Sequence, residues 1–272
     1  MPHDAASIES LADELSAKSR GYAGHLTHRE GAFLAVMAAC TPGEGVILEI
    51  GSYKGRSTTI LAAAEREVRG RSSVVAVDPL TSSRLSDPTL YDGRPWRDEF
   101  FGNLDAAGVR DQVEFHEMMS HELVTSWDRA IRVLWIDGDH SYEGALADHD
   151  MFWEFVEPGG VIAFHDVMHT PGVTRVFVDR VLRQPGYGAA GVVGSIGWAQ
   201  RLGPSMHDRY AGDRSRLADG LDRHAKSSAK TDAPLGSAMA KLHRWRVPHG
   251  ALSAADFQAL TAVEAASPAS RA

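Results

Sequence analysis

Acidic and histidine side chains are concentrated in the stretch VLWIDGDHSYEGALADHD, at residues 133–150. Asp137, Asp139 and His140 come directly after four apolar residues, a segment that is typical of a buried strand. Carboxylates and imidazoles at this spacing could bind a metal ion, accept a proton from a substrate or form the rim of a cofactor pocket. A solvated turn would account for the same charges, so the surrounding sequence has to distinguish among these roles.

A second pair of such side chains, His165 and Asp166, follows the apolar run VIAF. The ends of adjacent parallel strands lie about 4.8 Å apart, so Asp137 and this pair can converge at one edge of a sheet. Histidine accepts a proton near neutral pH, which makes His140 and His165 candidate bases. Capping of a helix that begins at Ser141 is the alternative role for His140.

Other charged residues of the stretch fit the helix that follows it. Asp139 supplies the negative charge that suits a helix N-terminus. Asp148 and His149 lie two turns along the helix, and we expect them on its surface, solvated or in ion pairs.

Short apolar segments alternate with helical ones along most of the chain. The predicted strands are VILEI, SVVAV, QVEFHEM, IRVLWID and VIAFHD, with more strand material in AAGVVGSIGWAQRL. Thr27 and Glu30 form a predicted capping box at the start of one helix. The alternation predicts an α/β fold with a doubly wound, mostly parallel sheet and helices on both faces. We expect a polar N-terminal arm at 1–26, a central domain at 27–203, and a C-terminal extension at 204–272 that forms a lid, a dimer arm or a partly disordered tail.

Composition limits the class of function. The chain has 272 residues, with 28 basic against 36 acidic side chains and a formal net charge of −8. A surface built to neutralise phosphates needs the opposite balance, so we expect no nucleic-acid partner. The one cysteine, Cys40, excludes an internal disulfide and suits a reducing cytosol. No window approaches the ~18 apolar residues of a membrane span, so we predict a cytoplasmic protein without a membrane partner. The arm and the long tail are compatible with a homodimer.

The turn after the first predicted strand, LEIGSYKGRS, has the features of a ligand-binding loop. Gly51 and Gly55 permit a tight turn, and the following helix N-terminus offers free N–H groups. A dinucleotide fingerprint would carry glycine in place of Tyr53, and Glu49 would be unfavourable near a pyrophosphate. Asp78, at the end of the second strand, either accepts hydrogen bonds from a ribose or simply opens a turn. Together these features favour a ribose-bearing, positively charged ligand without a pyrophosphate, a description that S-adenosylmethionine fits.

The segment EIGSYKGRS resembles motif I of the S-adenosylmethionine-dependent methyltransferases with a Rossmann-like fold. Its E-x-G-x-x-x-G-x-S form is similar to that of the divalent-metal-dependent O-methyltransferases. The run WIDGDHSYEGALADHDMFWEFVEPGGVIAFHD resembles a bacterial branch whose members methylate sugars and natural products. The similarity covers about residues 27–200. It implies a seven-stranded, mostly parallel sheet, S-adenosylmethionine as the cofactor, and a divalent cation, Mg²⁺ in the first place and Mn²⁺ as the alternative.

The resemblance also implies roles for individual residues. The implied cofactor contacts are Glu49, Gly51, Ser52, Tyr53, Lys54, Gly55, Ser57, Asp78, Met119 and Ser120. Within this set Asp78 would bind the ribose, and Met119 and Ser120 would lie near the adenine, although HEMMSHE departs from the pattern expected there.

The implied metal ligands are Asp137, His165 and Asp166. Relatives carry an acid or an amide where this chain has His165, and imidazole suits metals softer than Mg²⁺. The implied catalytic residues are His140, His165 and Asp137. His165 is therefore either a ligand for a softer metal or a base, or the metal is absent.

The sequence thus predicts an S-adenosylmethionine-dependent O-methyltransferase that acts on a hydroxyl of a small molecule, with a sugar or glycoside as the favoured acceptor. A nucleotide-dependent oxidoreductase on the same sheet and a non-methylating cofactor-binding relative stay open as alternatives. Acceptor specificity is expected in the arm, the tail and a predicted loop at 81–98, where Trp96 is a candidate wall of the acceptor pocket.

Overall fold

The computed structural model describes residues 3–70, 74–80, 96–229 and 250–262. The described strands are β1 (Val46–Ile50), β2 (Val74–Val77), β3 (Val113–His116), β4 (Ile131–Ile136), β5 (Val156–Phe164), β6 (Tyr187–Val193) and β7 (Ile196–Arg201). The described helices are α1 (Ala5–Lys18), α2 (His28–Cys40), α3 (Arg56–Arg69), α4 (Trp96–Ala106), α5 (Ser120–Leu123), α6 (Tyr142–Phe152), α7 (Pro171–Val176), α8 (Ala211–Ala229) and α9 (Ala254–Thr261).

The strands form one sheet in the order β3-β2-β1-β4-β5-β7-β6. Neighbours from β3 through β5 are parallel, whereas β7 runs antiparallel to both β5 and β6. Every residue of β1, β2 and β4 is buried, because separate apolar clusters cover the two faces of the sheet. Burial on both faces explains why these strands are almost continuously apolar. The predicted doubly wound α/β fold is confirmed.

Strand register brings the candidate site residues to one level of the sheet. The strand order reverses at β1, which lies between β2 and β4, and ligands bind at such a switch point in doubly wound sheets. Ile50 pairs with Val77 on one side and with Ile136 on the other, and Ile136 pairs with Phe164. The residues that follow these four positions therefore leave the sheet side by side, although they are far apart in sequence.

The N-terminal segment packs on the sheet domain. Ile8 and Ala12 of α1 are buried against α2, and α9 also contacts α1 and α2. The predicted division into arm, domain and extension stays a prediction. Most of the predicted loop at 81–98 lies outside the described residues, and Trp96 at its end begins α4. Among the described helices, none has the length and apolar character that crossing a membrane requires.

A buried ion pair joins the sheet to α3 away from the candidate site. Arg132 of β4 is fully buried, and its guanidinium binds the carboxylate of Glu65, which is 1% exposed. Its Nη1 also donates to the carbonyl oxygens of Ala38 and Thr41, at 2.8 and 3.2 Å.

Replacing Glu65 by alanine leaves this buried guanidinium without its carboxylate partner. We expect the free energy of unfolding to fall by about 3–5 kcal/mol, measured by urea denaturation. The double variant Arg132→Met, Glu65→Leu should recover most of the loss, because it removes both charges. A loss below about 1 kcal/mol in the single variant would show that the pair is not structurally important.

Candidate active site

A cleft of roughly 640 Å³ opens at the carboxyl edge of the sheet, where the strand order reverses. This size suits a small-molecule ligand. Its described lining includes His25, Gly51, Ser52, Tyr53, Arg56, Ser57, Asp78, Trp96, Asp137, Asp139, His140, His165 and Asp166. Residues from the ends of four strands and from the segment before α2 thus meet in one cavity, as the register requires.

The turn between β1 and α3 is constrained by close packing. Gly51 adopts φ 86°, and a Cβ at this position would collide with the backbone carbonyl of Asp137 at the end of β4. Tyr53 adopts φ 47°, a left-handed conformation that is uncommon for a residue other than glycine. Its ring meets Trp96 edge-on at 4.5 Å and stacks on His25 at 6.5 Å. The turn therefore presents an aromatic wall to the cleft.

Asp78 fixes the conformation of that turn. Its Oδ2 accepts hydrogen bonds from the backbone N–H groups of Ser52 and Tyr53, both at 2.8 Å, and its Oδ1 accepts one from Leu80 N at 2.6 Å. Burial raises the pKa of Asp78 against the opposing effect of these hydrogen bonds. A carboxylate has about four acceptor sites, so one site is left for a ligand. The predicted ribose contact stays a prediction.

Glu49 is directed into the protein rather than into the cleft. It is fully buried and accepts hydrogen bonds from the hydroxyls of Ser57 and Thr58, at 2.5 Å each. Burial raises the pKa of Glu49 to about 7 despite these bonds. In this structure the side chain anchors the first turn of α3, and its predicted contact with the cofactor stays a prediction.

Four other predicted cofactor contacts are absent from the described lining of the cleft: Lys54, Gly55, Met119 and Ser120. The Nζ of Lys54 pairs with Glu99 Oε2 at 2.8 Å, and Gly55 forms the left-handed cap before α3. The side chain of Ser120 donates to Asp148 at 2.6 Å, and Met119 is 43% exposed. Their contacts with a cofactor remain predictions.

Asp137, His140 and Asp166 form a compact cluster in the cleft. His140 Nε2 lies 3.5 Å from Asp137 Oδ1 and 3.4 Å from Asp166 Oδ2. Each residue offers one ligand atom, and the three atoms lie within 4.8 Å of one another. Within the described part of the chain, this Nε2 is buried and makes no hydrogen bond. Two carboxylate oxygens and an unpartnered imidazole nitrogen are a donor set that fits a divalent cation.

His165 lies behind this cluster. Its Nδ1 is 3.2 Å from Asp137 Oδ1 and 3.6 Å from Asp166 Oδ2, but its side chain is only 5% exposed, against 40% for His140. The structure thus groups His140, rather than the predicted His165, with the two acids as the candidate ligand set. The predicted roles of His165 as a ligand or a base remain untested.

Opposite charges dominate the electrostatics of the cluster. Burial acts to raise the pKa of Asp137, but the positive charges of His165 and His140 outweigh it and lower this pKa to about 2. The nearby carboxylate of Asp137 raises the pKa of His140. Burial acts to lower the pKa of His165, but Asp137 and its neighbours raise it well above the usual value. The acids thus require positive charge beside them, which protons on the imidazoles or a cation would supply.

Residues 48–167 match a family model described as a methyltransferase domain. This segment is a methyltransferase domain. The match begins within β1 and ends just after Asp166, so the domain includes the glycine turn, Asp78 and every residue of the cluster. The resemblance inferred from EIGSYKGRS and WIDGDHSY is confirmed.

A curated relative of the methyltransferase domain is uncharacterized protein R132 of Acanthamoeba polyphaga mimivirus. It is 20% identical over 140 residues, which cover 48% of this chain and 59% of the relative. The chain therefore spans less than two thirds of the length of this relative.

Solved structures share the fold around the methyltransferase domain. The O-methyltransferase from Bacillus cereus in complex with S-adenosylhomocysteine is 21% identical, with a TM-score of 0.50 over 74% of this chain and 93% of that chain. TomG from Streptomyces achromogenes, in complex with S-adenosylmethionine, is 19% identical, with a TM-score of 0.51 over 74% and 91%. NovP, an O-methyltransferase, is 15% identical, with a TM-score of 0.57 over 74% and 100%. At these identities the likeness shows the fold.

Glu30 is a residue near the site that sequence reasoning assigned only to the capping box of α2. The capping box is confirmed, but the carboxylate also binds Ser195 and lies 4.0 Å from His165 Nε2. Burial acts to raise the pKa of Glu30, yet His165, Ser195 and Thr27 hold it well below its usual range. Ser195 is 165 positions away, so no local pattern could have indicated the contact.

The start of α6 corrects one of the roles weighed for His140. Ser141 is the N-cap, and its hydroxyl accepts from Gly144 N at 3.0 Å. Asp139 in turn accepts from the N–H and the hydroxyl of Ser141, at 2.9 and 3.0 Å. Asp139 thus serves the helix start as expected, and the capping role for His140 is wrong. His140 is consequently available to the cleft of the methyltransferase domain.

The expectation that Asp148 and His149 lie on the surface of α6 is wrong. They are 5% and 4% exposed. They lie on the buried face of α6 together with Ala145 and Phe152, at a spacing of three to four residues. The His149 ring bridges Asp150 and Tyr187, at 2.7 and 2.8 Å. Asp148 is satisfied by the hydroxyl of Ser120, which supports the loop after β3.

Replacing Asp148 by asparagine is expected to stabilise the methyltransferase domain at neutral pH. Burial raises the pKa of Asp148 to about 6, against 3.8 for an unperturbed carboxyl. The proton-linked stability is complete below about pH 4 and is lost as pH rises through about 6. At pH 7.5 the neutral amide, which still accepts from Ser120, should raise the free energy of unfolding by about 1–3 kcal/mol. Urea denaturation at pH 7.5 and pH 4.5 measures this gain, which should shrink at the lower pH; a variant that is less stable at both values would contradict it.

Proposed function

We propose that the chain is an S-adenosylmethionine-dependent O-methyltransferase that methylates a hydroxyl group of a small molecule, with a divalent cation held at Asp137 and Asp166. The observation that carries the proposal is the convergence of the glycine turn, Asp78 and the acid–histidine cluster in one cleft of a methyltransferase domain. The glycine turn with Asp78, or the acid–histidine cluster, would each have an ordinary structural explanation alone. Together they would provide a cofactor site and an acceptor site side by side.

The cleft fits S-adenosylmethionine in size and charge. Its volume suits a ligand of that size, and its acids, Asp78, Asp137, Asp139 and Asp166, favour a sulfonium cation. The turn at Gly51–Ser57 and Asp78 would hold the cofactor. When bound, the cofactor supplies a methyl group that is transferred by in-line displacement, a reaction that depends on alignment. Two proteins of the same fold hold S-adenosylhomocysteine and S-adenosylmethionine in their structures, which supports this choice.

The cluster fits a divalent cation beside that position. Asp137 and Asp166 offer oxygen ligands, and His140 Nε2 is close enough to add a nitrogen. Mixed oxygen and nitrogen donors suit Mn²⁺ at least as well as Mg²⁺. When bound, a divalent cation lowers the pKa of a coordinated hydroxyl. Asp137 and Asp166 would hold such a cation in the same cleft as the cofactor, where it could bind the acceptor hydroxyl.

His140 is the histidine placed to accept the proton of the acceptor hydroxyl. Its side chain is 40% exposed and borders the cleft, whereas His165 is enclosed beside Asp137. The carboxylate of Asp137 orients the His140 ring from 3.5 Å and stabilises its protonated form. His165 supplies a buried positive charge that keeps Asp137 ionised.

The aromatic wall supports a sugar or glycoside as the acceptor. Trp96 and Tyr53 meet edge-on at 4.5 Å along the cleft, and Trp96 has no hydrogen-bond partner for its indole nitrogen among the described residues. Aromatic faces pack against the apolar faces of sugar rings. The acids that line the same cleft would accept hydrogen bonds from the hydroxyls of a sugar.

Ligand-induced stabilisation tests the cofactor. S-adenosylhomocysteine at about 100 times its Kd should raise the free energy of unfolding by about 2.7 kcal/mol, visible as a higher Tm, whereas NADH and NADPH should have no effect. Stabilisation by NADH alone would favour the oxidoreductase class. A screen of glycosides and other hydroxylated acceptors with radiolabelled S-adenosylmethionine, with EDTA and then with added Mn²⁺, tests methyl transfer and its metal requirement.

A further inference from the structure

Both carboxylate oxygens of Glu30 are engaged, and they serve different parts of the protein. Oε2 accepts from the N–H and the hydroxyl of Thr27, at 2.8 and 2.7 Å, which closes the capping box of α2. Oε1 accepts from the N–H and the hydroxyl of Ser195, at 2.6 and 2.7 Å, in the turn between β6 and β7. The side chain is 3% exposed. A helix cap requires only the pair of hydrogen bonds with Thr27, so the contacts of Glu30 with Ser195 and His165 have consequences beyond the cap.

The first consequence concerns His165. Its Nε2 lies 4.0 Å from Glu30 Oε2 and its Nδ1 lies 3.2 Å from Asp137 Oδ1, so the ring is enclosed between two carboxylates. Within the described residues, Nε2 is buried without a hydrogen bond, and its electrostatic partner on that side is Glu30. A buried negative charge at this point favours the ring orientation that directs Nδ1–H toward Asp137.

The second consequence concerns the backbone of Asp166. The carbonyl oxygen of Ser195 accepts a hydrogen bond from Val167 N at 3.0 Å. Glu30 therefore fixes the β6–β7 turn, and this turn fixes the backbone of Val167, the residue after Asp166. Asp166 adopts φ 58°, a left-handed conformation that persists only where the surroundings enforce it. The turn also packs tightly, since a Cβ on Gly194 would lie 2.6 Å from Glu30 Oε1.

We propose that Glu30 is a positioning residue for the acid–histidine cluster, holding the His165 ring against Asp137 and, through Ser195, the backbone conformation of Asp166. The inference rests on the proposed function only for the cation. If Asp137 and Asp166 bind a cation, Glu30 sets the positions of these two ligands through His165 and Ser195. The cap of α2 uses Oε2, the oxygen that also faces His165, whereas the contact with Ser195 uses Oε1.

Glu30→Gln and Thr27→Ala separate the two roles in the full-length chain. Both variants weaken the cap and should lower the Tm, but only Glu30→Gln removes the charge beside His165. In ¹⁵N-labelled protein at a fixed pH, the ring nitrogens of His165 and the amides of Asp166 and Val167 should shift in Glu30→Gln and stay in place in Thr27→Ala. His165→Gln identifies the ring signals. Equal shifts in both variants, or none in Glu30→Gln, would overturn the positioning role.

Mn²⁺ binding provides a second readout. Loss of such a supporting residue typically weakens metal affinity by about 10–100-fold, and we expect this for Glu30→Gln but not for Thr27→Ala. If Glu30→Gln does not fold, Ser195→Ala removes one donor to Oε1 and should shift the Asp166 and Val167 amides by a smaller amount; unchanged amides would overturn the proposal. The NMR measurement requires neither metal nor cofactor, so it tests the positioning role by itself. If the wild-type chain binds neither Mn²⁺ nor S-adenosylhomocysteine, that result refutes the proposed function and not the positioning role.

Discussion

Methyl transfer is expected to fall by about 10²–10³-fold when Asp166 is replaced by asparagine. The substitution keeps the size of the side chain but removes one of the two carboxylates that would hold the cation and orient the acceptor. Asparagine also tolerates the left-handed backbone of Asp166, φ 58°, which alanine would not, so the loss reports on charge rather than on strain. Initial rates with radiolabelled S-adenosylmethionine, and Mn²⁺ binding followed by electron paramagnetic resonance, measure the effect.

Asp139→Asn is the matched control for Asp166→Asn. It removes the same charge from the same cleft, but the Asp139 carboxylate is committed to Ser141 at the start of α6. We expect a small loss of stability, a much smaller loss of rate, and unchanged Mn²⁺ affinity. If Asp166→Asn retained full Mn²⁺ affinity and activity, the cluster would not be the cation site.

His140→Gln is expected to lower kcat by about 10²–10⁴-fold, because it removes the proposed proton acceptor from the cleft. S-adenosylhomocysteine affinity should be unchanged, since the proposed cofactor site is formed by the turn at Gly51–Ser57 and by Asp78, not by His140. The Mn²⁺ affinity of this variant distinguishes a base from a metal ligand as the role of the His140 imidazole. A decrease in kcat without loss of Mn²⁺ affinity supports the base, whereas a parallel loss of both would assign His140 as a ligand instead.

His169→Gln serves as the control for His140→Gln. His169 is exposed just beyond Asp166 and is not part of the described cleft lining. Its replacement should leave the rate close to that of the wild type. A full rate in His140→Gln would exclude this residue as the base.

The sequence predicts the positions of the strand ends because buried parallel strands have a strong apolar pattern. VILEI, IRVLWID and VIAFHD each match a strand, and the first polar residues after them are those that meet in the cleft. The topology follows from the alternation of strands and helices, which leaves few arrangements for a parallel sheet. The apolar pattern and the alternation are therefore sufficient to place Asp137 and Asp166 together.

The details that the sequence does not predict depend on contacts between distant segments. The grouping of His140 with Asp137 and Asp166 depends on the loop after β4 meeting the loop after β5, which are far apart in sequence. The burial of His149 depends on Tyr187, 38 positions away. Glu30 has a clear local explanation as a cap, and its contact with Ser195 is invisible in the local pattern.

Calorimetric titration of S-adenosylhomocysteine into the full chain in the presence of Mn²⁺ tests whether the cleft binds the methyl donor. We expect one site per chain with a Kd on the order of micromolar, and weaker binding in Asp78→Asn, whose amide can no longer fix the turn as the carboxylate does. Absence of saturable binding at millimolar ligand would contradict the claim that this cleft is a methyl-donor site.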